Sequence, residues 1–305
     1  MKALLVFPAL VLAASLGFLA ASCGSNGDAT PAGPVPSVDG ATATGTEEVP
    51  PPTEGVETGP VPTVTESQVT YQVWFADAEG LFVTYRTGAN LPRVGTAALE
   101  ALLAGPDPFE EDYGLRTSIP DGTQLLGLTI EDEIARVDLT SEFESGGGSA
   151  SMQTRLAQVV YTITQFPTVK GVVFSLDGEP IDVLGGEGVI IDHPLTRRDY
   201  VELLPSILVT SPALNRTVES PVVIRGSANV FEANVTVQIL DQNENVLAET
   251  FTTATCGTGC RGTYRVAVSY EVEREQSGTI VVHDDDAAGV GRPPHEVRIP
   301  VRLLP

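Results

Sequence analysis

Apolar residues recur at two different spacings along the chain, and the change of spacing divides its folded part in two. Strand-type alternation occurs at 68–75, 81–85, 125–130, 134–139 and 172–176, and helical spacing occurs at 94–104 and 151–166. Gly105-Pro106 ends the first helical run and Pro167 closes the second. The mixture predicts a segregated α+β domain over residues 68–205.

From residue 206 the helical spacing disappears. Seven short β-type runs follow, at 207–210, 222–226, 235–240, 246–252, 263–270, 279–283 and 297–303. Short strands at this density are typical of an immunoglobulin-type β-sandwich, which we expect over residues 206–305.

The first 22 residues read as an export signal. Met1 and Lys2 precede the uncharged apolar run 3–21, and small residues end it. The run is close to the roughly 18 residues that a membrane-spanning helix needs, so an uncleaved anchor is the structural alternative.

Residues 23–67 are expected to form a disordered tether. Between positions 24 and 66 there are eight prolines, eight threonines and seven acidic residues, with no aromatic residue, lysine or arginine. Such a composition cannot bury enough apolar surface to offset the entropy of ordering. In polyproline II form the segment would reach about 130 Å.

The segment LAASC, which ends at Cys23, resembles the lipobox of bacterial lipoproteins. In that family the signal is cut before the cysteine, whose thiol then carries a diacylglycerol. Ala20 stands where the family favours leucine, and Leu19 lies one place earlier. The resemblance implies lipidation at Cys23 and a position on the extracytoplasmic face of the cell membrane; a plain cleaved signal is the other reading.

Several separated motifs of the α+β segment resemble the GerMN domain of sporulation and spore-germination proteins. They are LLAGP at 102–106, SIPDGT at 118–123, ARVDLTSEF at 135–143 and TQFP at 164–167, followed by the strand 172–176. The resemblance implies a compact α+β domain of a kind found in envelope lipoproteins, similar in fold to ring-building modules of secretion-like complexes.

The last segment resembles the immunoglobulin-like domain of bacterial spore-germination proteins. RGSANVFEAN at 225–234 and GTY at 262–264 carry the resemblance. The order of the two domains is itself found in such lipoproteins. The resemblance implies a framework role for these motifs and brings no catalytic residue.

Cys256 and Cys260 are the only cysteines besides Cys23. Outside the membrane a disulfide between them is favoured. Free thiols are the alternative, and a zinc site is disfavoured because no further Cys or His lies nearby in sequence.

Three further motifs could suggest chemistry. Asp138 lies near the end of a predicted strand and could serve as a catalytic carboxylate, but we expect it to orient backbone there. We expect Gln165, between the helix and Pro167, to be structural as well. Gly146-Gly147-Gly148 lacks the Lys-Ser/Thr of a phosphate loop and reads as a flexible loop.

The run of Asp284, Asp285 and Asp286 after His283 is either a solvated acidic turn or a weak candidate for Ca²⁺, which prefers oxygen ligands. Its spacing fits no EF-hand loop. We therefore predict no metal and no cofactor.

Charge and the absence of catalytic motifs set the expected function. The formal net charge of −23 argues against nucleic acid and against docking on anionic lipid through a polybasic patch. No GxSxG, HExxH or GxGxxG motif occurs. We predict a non-enzymatic, lipid-anchored interaction or scaffold module of the bacterial envelope, with an envelope protein or a second copy as partner. The two family resemblances imply a role related to sporulation or germination. The alternative is a ligand-binding lipoprotein that captures a solute or a wall glycan.

Overall fold

The computed structural model describes residues 68–89, 93–186, 188–285, 291 and 293–305. The signal, the tether with Cys23, and Asp286 lie outside the described residues.

The first part of the described chain alternates strands with three helices. Its elements are β1 (Gln68–Ala76), β2 (Leu81–Ala89), α1 (Val94–Leu103), α2 (Pro108–Tyr113), β3 (Leu125–Glu131), β4 (Ile134–Leu139), α3 (Ser149–Ile163), β5 (Gly171–Leu176), β6 (Glu179–Pro180), β7 (Val183–Leu184) and β8 (Val189–Ile190).

Two sheets and two helices enclose the core of this domain. β1 and β2 form an antiparallel hairpin, while β3, β4, β5 and β6 form a second sheet in that order. β4 and β5 pair in parallel, which requires a crossover, and α3 supplies it. Helices α1 and α3 pack on each other and on β1. Trp74, Phe75, Leu99, Leu156 and Phe174 fill the space between these layers.

The structure confirms the mixed α+β class but differs from the prediction in where some helices and strands begin or end. Helix α3 ends at Ile163, three residues before the predicted end at Phe166. Pro167 disfavours helical backbone at Phe166, so the helix has to end early. The short helix α2 has no counterpart in the sequence prediction, because six residues are too few for a helical period to show.

The second part of the described chain is all β. Its strands are β9 (Ile207–Ser211), β10 (Arg216–Val218), β11 (Val222–Ala228), β12 (Asn234–Leu240), β13 (Val246–Thr253), β14 (Gly262–Val268), β15 (Gln276–His283) and β16 (Glu296–Leu303). They form a five-stranded sheet, β10-β16-β15-β12-β13, and a three-stranded sheet, β14-β11-β9.

Alternation along the strands separates the core of the sandwich from its outer faces. In β12, Val235, Val237 and Ile239 are buried, whereas Thr236 and Gln238 are partly exposed on the other face. The immunoglobulin-like prediction is confirmed, with eight strands among the described residues instead of seven. The additional strand, β10, pairs in parallel with β16 over only three residues, too few to give an alternating pattern.

Candidate functional site

Polar side chains of α3, and of Gln165 just after it, hydrogen-bond the edge of β1 that β2 leaves open. Gln165 accepts the Gln72 backbone N–H at 2.6 Å and donates to the Gln72 carbonyl at 2.8 Å. Thr162 accepts the Trp74 N–H at 3.2 Å, and Gln158 donates to the Trp74 carbonyl at 3.1 Å. The helix thus replaces a third strand. The prediction that Gln165 is structural is confirmed.

Asp138 also has a structural partner. Its Oδ1 accepts the backbone N–H of Gly178 at 3.0 Å, which fixes the turn between β5 and β6. The prediction that this carboxylate orients backbone is therefore confirmed.

The glycine-rich loop is held by a buried arginine that the sequence did not single out. Arg155 of α3 is 2% exposed and donates to the carbonyls of Phe143, Ser145 and Gly146. Burial lowers the pKa of its guanidinium. The loop therefore turns carbonyl oxygens towards a cation of the protein itself.

Cys256 and Cys260 form a disulfide with a Cα–Cα distance of 5.8 Å. It lies in the connection from β13 to β14, where the chain passes from one sheet of the sandwich to the other. A Cβ at Gly257 or Gly262 would overlap the backbone of Ala233 or Cys256, so this connection packs closely against its neighbours.

The acidic run after β15 is not uniformly solvated, and that reading is wrong for Asp284. Its side chain is 2% exposed; Oδ1 accepts the His295 backbone N–H at 2.8 Å, and Oδ2 lies 3.0 Å from His295 Nδ1. The carboxylate turns inward because it joins the end of β15 to the approach to β16. Asp285 is 55% exposed, with its carboxylate 3.5 Å from His283 Nδ1. Asp286 lies outside the described residues.

No three His, Cys, Asp or Glu side chains converge on a possible metal position anywhere in the described part of the chain. None of the helices formed by the described residues is long and apolar enough to cross a membrane.

Two tyrosines of the α+β domain bond to backbone of the sandwich. Tyr85 on β2 donates to the Thr210 carbonyl at 2.5 Å, and Tyr113 at the end of α2 donates to the Arg298 carbonyl at 2.9 Å. Burial raises the pKa of both phenols, so each keeps the proton that it donates. These hydrogen bonds join the α+β domain to two strands of the sandwich, β9 and β16.

Arginines hold the segment that joins the domains at both of its ends. Arg197 lies 4.8 Å from the centre of the Tyr161 ring and donates to the Tyr161 carbonyl, on the α+β side. Arg261 donates to the carbonyls of Leu204 and Pro205, on the sandwich side. Burial lowers the pKa of both guanidinium groups. The described residues accordingly belong to one compact unit.

A cleft of about 670 Å³ lies where the two domains meet. One wall comes from β1, β2 and α2, and the other from β11 and the segment 210–218. A partly buried ion pair supports the first wall: Arg86 on β2 binds both carboxylate oxygens of Glu110, at 2.7 and 2.6 Å. The hydrogen bond to Glu110 is the main reason that the pKa of Arg86 is raised.

A capping box places Glu110. Asp107 accepts the Glu110 backbone N–H at 2.9 Å, while the Glu110 carboxylate accepts the Asp107 N–H at 2.8 Å. Sequence reasoning missed this pair, although the motif DPFE at 107–110 carries the signature of a capped helix start with proline at the first position.

Comparison with known proteins agrees with the observed folds. Residues 63–182 match the family model described as sporulation and spore germination, and residues 206–290 match the model of the immunoglobulin-like domain of bacterial spore germination. No curated protein is significantly similar to the chain in sequence.

Solved structures of a sporulation protein are also similar to the chain. The tandem GerMN domains of the sporulation protein GerM from Bacillus subtilis align with 78% of this chain and 61% of theirs, at 16% identity and a TM-score of 0.40. The first GerMN domain of that protein aligns with 43% of this chain and 98% of its own length, at 25% identity and a TM-score of 0.35. This chain therefore spans about three fifths of the tandem-domain structure.

The two family models match segments whose strands form different sheets. The chain thus carries a GerMN-type domain of the sporulation and spore germination family, followed by an immunoglobulin-like domain of bacterial spore germination.

Proposed function

We infer that this protein is a non-enzymatic interaction module of the bacterial envelope, with a role related to sporulation or germination. The junction between the domains carries the inference. Hydrogen bonds from Tyr85, Tyr113 and Arg261 hold the two domains in one arrangement. A fixed arrangement presents surfaces of both domains to a partner without the entropic cost of ordering a hinge on binding.

The hydrogen bonds and ion pairs of the buried polar groups support the non-enzymatic part of the proposal. Glu110 binds Arg86 and caps α2, Gln158 bonds the edge of β1, and Asp284 joins the ends of two strands. Each of these groups already bonds to another group of the protein, whereas a catalytic acid or base has to be within hydrogen-bond reach of a substrate.

We place the protein on the extracytoplasmic face of the membrane, held by lipid on Cys23. Two acyl chains anchor a protein firmly, since each buried methylene contributes roughly 0.8 kcal/mol. Cys23→Ala should move the protein from the membrane to the soluble fraction of cells, with Cys256→Ala as the matched cysteine control. An unchanged membrane fraction for Cys23→Ala would overturn the lipid anchor.

Strand edges at the ends of two sheets are the surfaces that we expect a partner to use. Among the described strands β13 pairs only with β12, and β3 only with β4. Each edge carries an exposed apolar residue, Phe251 at 71% and Leu126 at 50%. Exposed edges can accept an additional strand from another protein.

A crosslinking experiment in live cells tests the proposal. A photo-crosslinking residue replaces Phe251 or Leu126 in a tagged, full-length protein, with the exposed Gln153 of α3 as control position. We expect one envelope protein to be recovered from an edge position, absent at 153, and lost when an excess of the untagged natural protein competes, whereas the variant Phe251→Ser or Leu126→Ser at the same edge should not displace it. Equal recovery at all three positions would contradict the proposal.

A further inference from the structure

The cleft between the domains has the size and position of a ligand site. Its volume of about 670 Å³ falls in the range of pockets that hold small molecules, and such pockets favour domain interfaces. The hydrogen bonds of Tyr85 and the ion pair of Arg86 keep the wall from the first domain in place, so the cleft is formed before any ligand binds.

The lining of the cleft is positive, although the whole chain is strongly negative. Among the described residues, Arg86, Arg216 and Arg225 line it together with two carboxylates, Asp107 and Glu110, whereas the net charge of the chain is −23. Both carboxylates are already engaged, with Arg86 and with the capping box of α2. The guanidinium groups of Arg216 and Arg225 are exposed and bond to no other described residue.

The register of the three-stranded sheet adds a second, independent observation. Arg225 on β11 lies directly opposite Arg265 on β14, and both side chains are exposed on the outer face of the sheet. Like charges at directly opposed positions destabilise a sheet. No described carboxylate forms an ion pair with either arginine, so an anion at this place would relieve the repulsion.

The other lining groups suit a sugar. Thr217 offers a hydroxyl group. The hydroxyl of Thr87 also bonds to Thr70, and the amide oxygen of Gln72 accepts from Trp74 Nε1, which leaves the amide N–H groups of Gln72 for a ligand. Phe109, 40% exposed, offers an aromatic surface beside them, against which the C–H face of a sugar ring can pack.

We propose that this cleft binds an anionic, polyhydroxylated chain, with a carboxylate or phosphate group held between Arg216 and Arg225. Guanidinium groups form charge-assisted, often bidentate hydrogen bonds with both anions. The two sources of this chemistry are a chain of uronic acid sugars and a polyol phosphate chain. The inference depends neither on the lipid anchor nor on a protein partner.

Calorimetric titration of the purified full-length protein tests the proposal with three probes. They are an oligogalacturonate, a glycerol phosphate oligomer and, as neutral control, an oligomer of N-acetylglucosamine. The variant Arg216→Gln/Arg225→Gln removes the charge and keeps the polarity. Arg136→Gln is the matched control, because Arg136 is exposed on β4 of the first domain and lies outside the cleft.

We expect one of the two anionic probes to bind, more weakly at high salt, and the double variant to lose at least roughly tenfold in affinity while Arg136→Gln keeps it. The probe that binds identifies the source of the anion. Equal binding of the neutral oligomer, equal affinity in the double variant, or binding of neither anionic probe would each overturn the proposal.

Discussion

Gly80 lies where the hairpin of the first domain meets the segment that leads to the second. Its φ of +141° is a backbone conformation that glycine adopts freely, and a Cβ there would overlap the Leu203 carbonyl. Because glycine has a hydrogen atom in place of a Cβ, the hairpin can approach the connecting segment this closely.

Gly80→Ala should lower the free energy of unfolding by roughly 1–3 kcal/mol, because it adds a steric overlap to backbone strain. Gly105→Ala is the control: Gly105 also has positive φ, at +83°, but open space around it. That variant should lose only the strain, about 1 kcal/mol. Urea denaturation of both full-length variants measures the difference, and equal losses would contradict the close contact.

The partly buried ion pair of Arg86 and Glu110 gives a second prediction for single residues. Arg86→Met leaves the Glu110 carboxylate, 6% exposed, without its cation, and should cost about 3–5 kcal/mol. Arg302→Met removes an exposed partner of Glu275 and should cost about 1 kcal/mol or less. Chemical denaturation distinguishes the two; similar small losses would mean that water replaces Arg86 at the carboxylate.

At the scale of elements, α3 acts as a substitute for a strand beside β1. Gln158 is fully buried and bonds at both ends of its amide, donating to the Trp74 carbonyl and accepting the Ser118 N–H. The pattern of apolar residues predicted the helix, but not that its polar positions would be its contact with the sheet.

Gln158→Leu should cost about 2–3 kcal/mol, because it leaves two buried backbone groups without partners. Gln153→Leu on the exposed face of the same helix should change stability by about 0.5 kcal/mol or less. Thermal unfolding followed by circular dichroism compares them. A stable Gln158→Leu protein would show that this bond contributes little.

The connection between β13 and β14 depends on a covalent link. Loss of the Cys256–Cys260 disulfide should cost about 2 kcal/mol, the chain entropy of a short loop. Reductant should lower the melting temperature of the natural protein, and leave that of Cys256→Ser/Cys260→Ser unchanged. An equal effect of reductant on both proteins would argue against the link.

At the scale of the whole molecule, the two domains behave as one body because contacts far apart in sequence join them. Tyr113 bonds to a residue 185 positions away in the sequence, and Tyr85 to a residue 125 positions away. Each bond is worth about 1 kcal/mol, so the arrangement depends on several acting together.

Tyr85→Phe/Tyr113→Phe should loosen the junction while both domains stay folded. We expect a larger radius of gyration in small-angle scattering and thermal unfolding in two steps instead of one. Tyr270→Phe is the control, since its hydroxyl bonds to Val218 within the sandwich. Unchanged scattering in the double variant would mean that the arginines of the connecting segment suffice.

The sequence by itself determined the element types, the order of the two domains and their fold classes. The spacing of apolar residues is a local property, as in the alternating Val235, Val237 and Ile239, and short motifs marked the turns. Short elements such as β10 were not predicted, because three residues are too few to show an alternation of apolar and polar positions.

Only the tertiary structure decided what the polar residues do. Asp284 reads as a solvated acid in sequence, yet it is buried, and its partner His295 lies eleven residues further along the chain, just before β16. The cleft forms in the same way, since Arg86 and Arg225 belong to different domains. The burial of Asp284 and the charge of the cleft depend on residues that are distant along the chain. A local pattern of apolar and polar residues therefore cannot predict them.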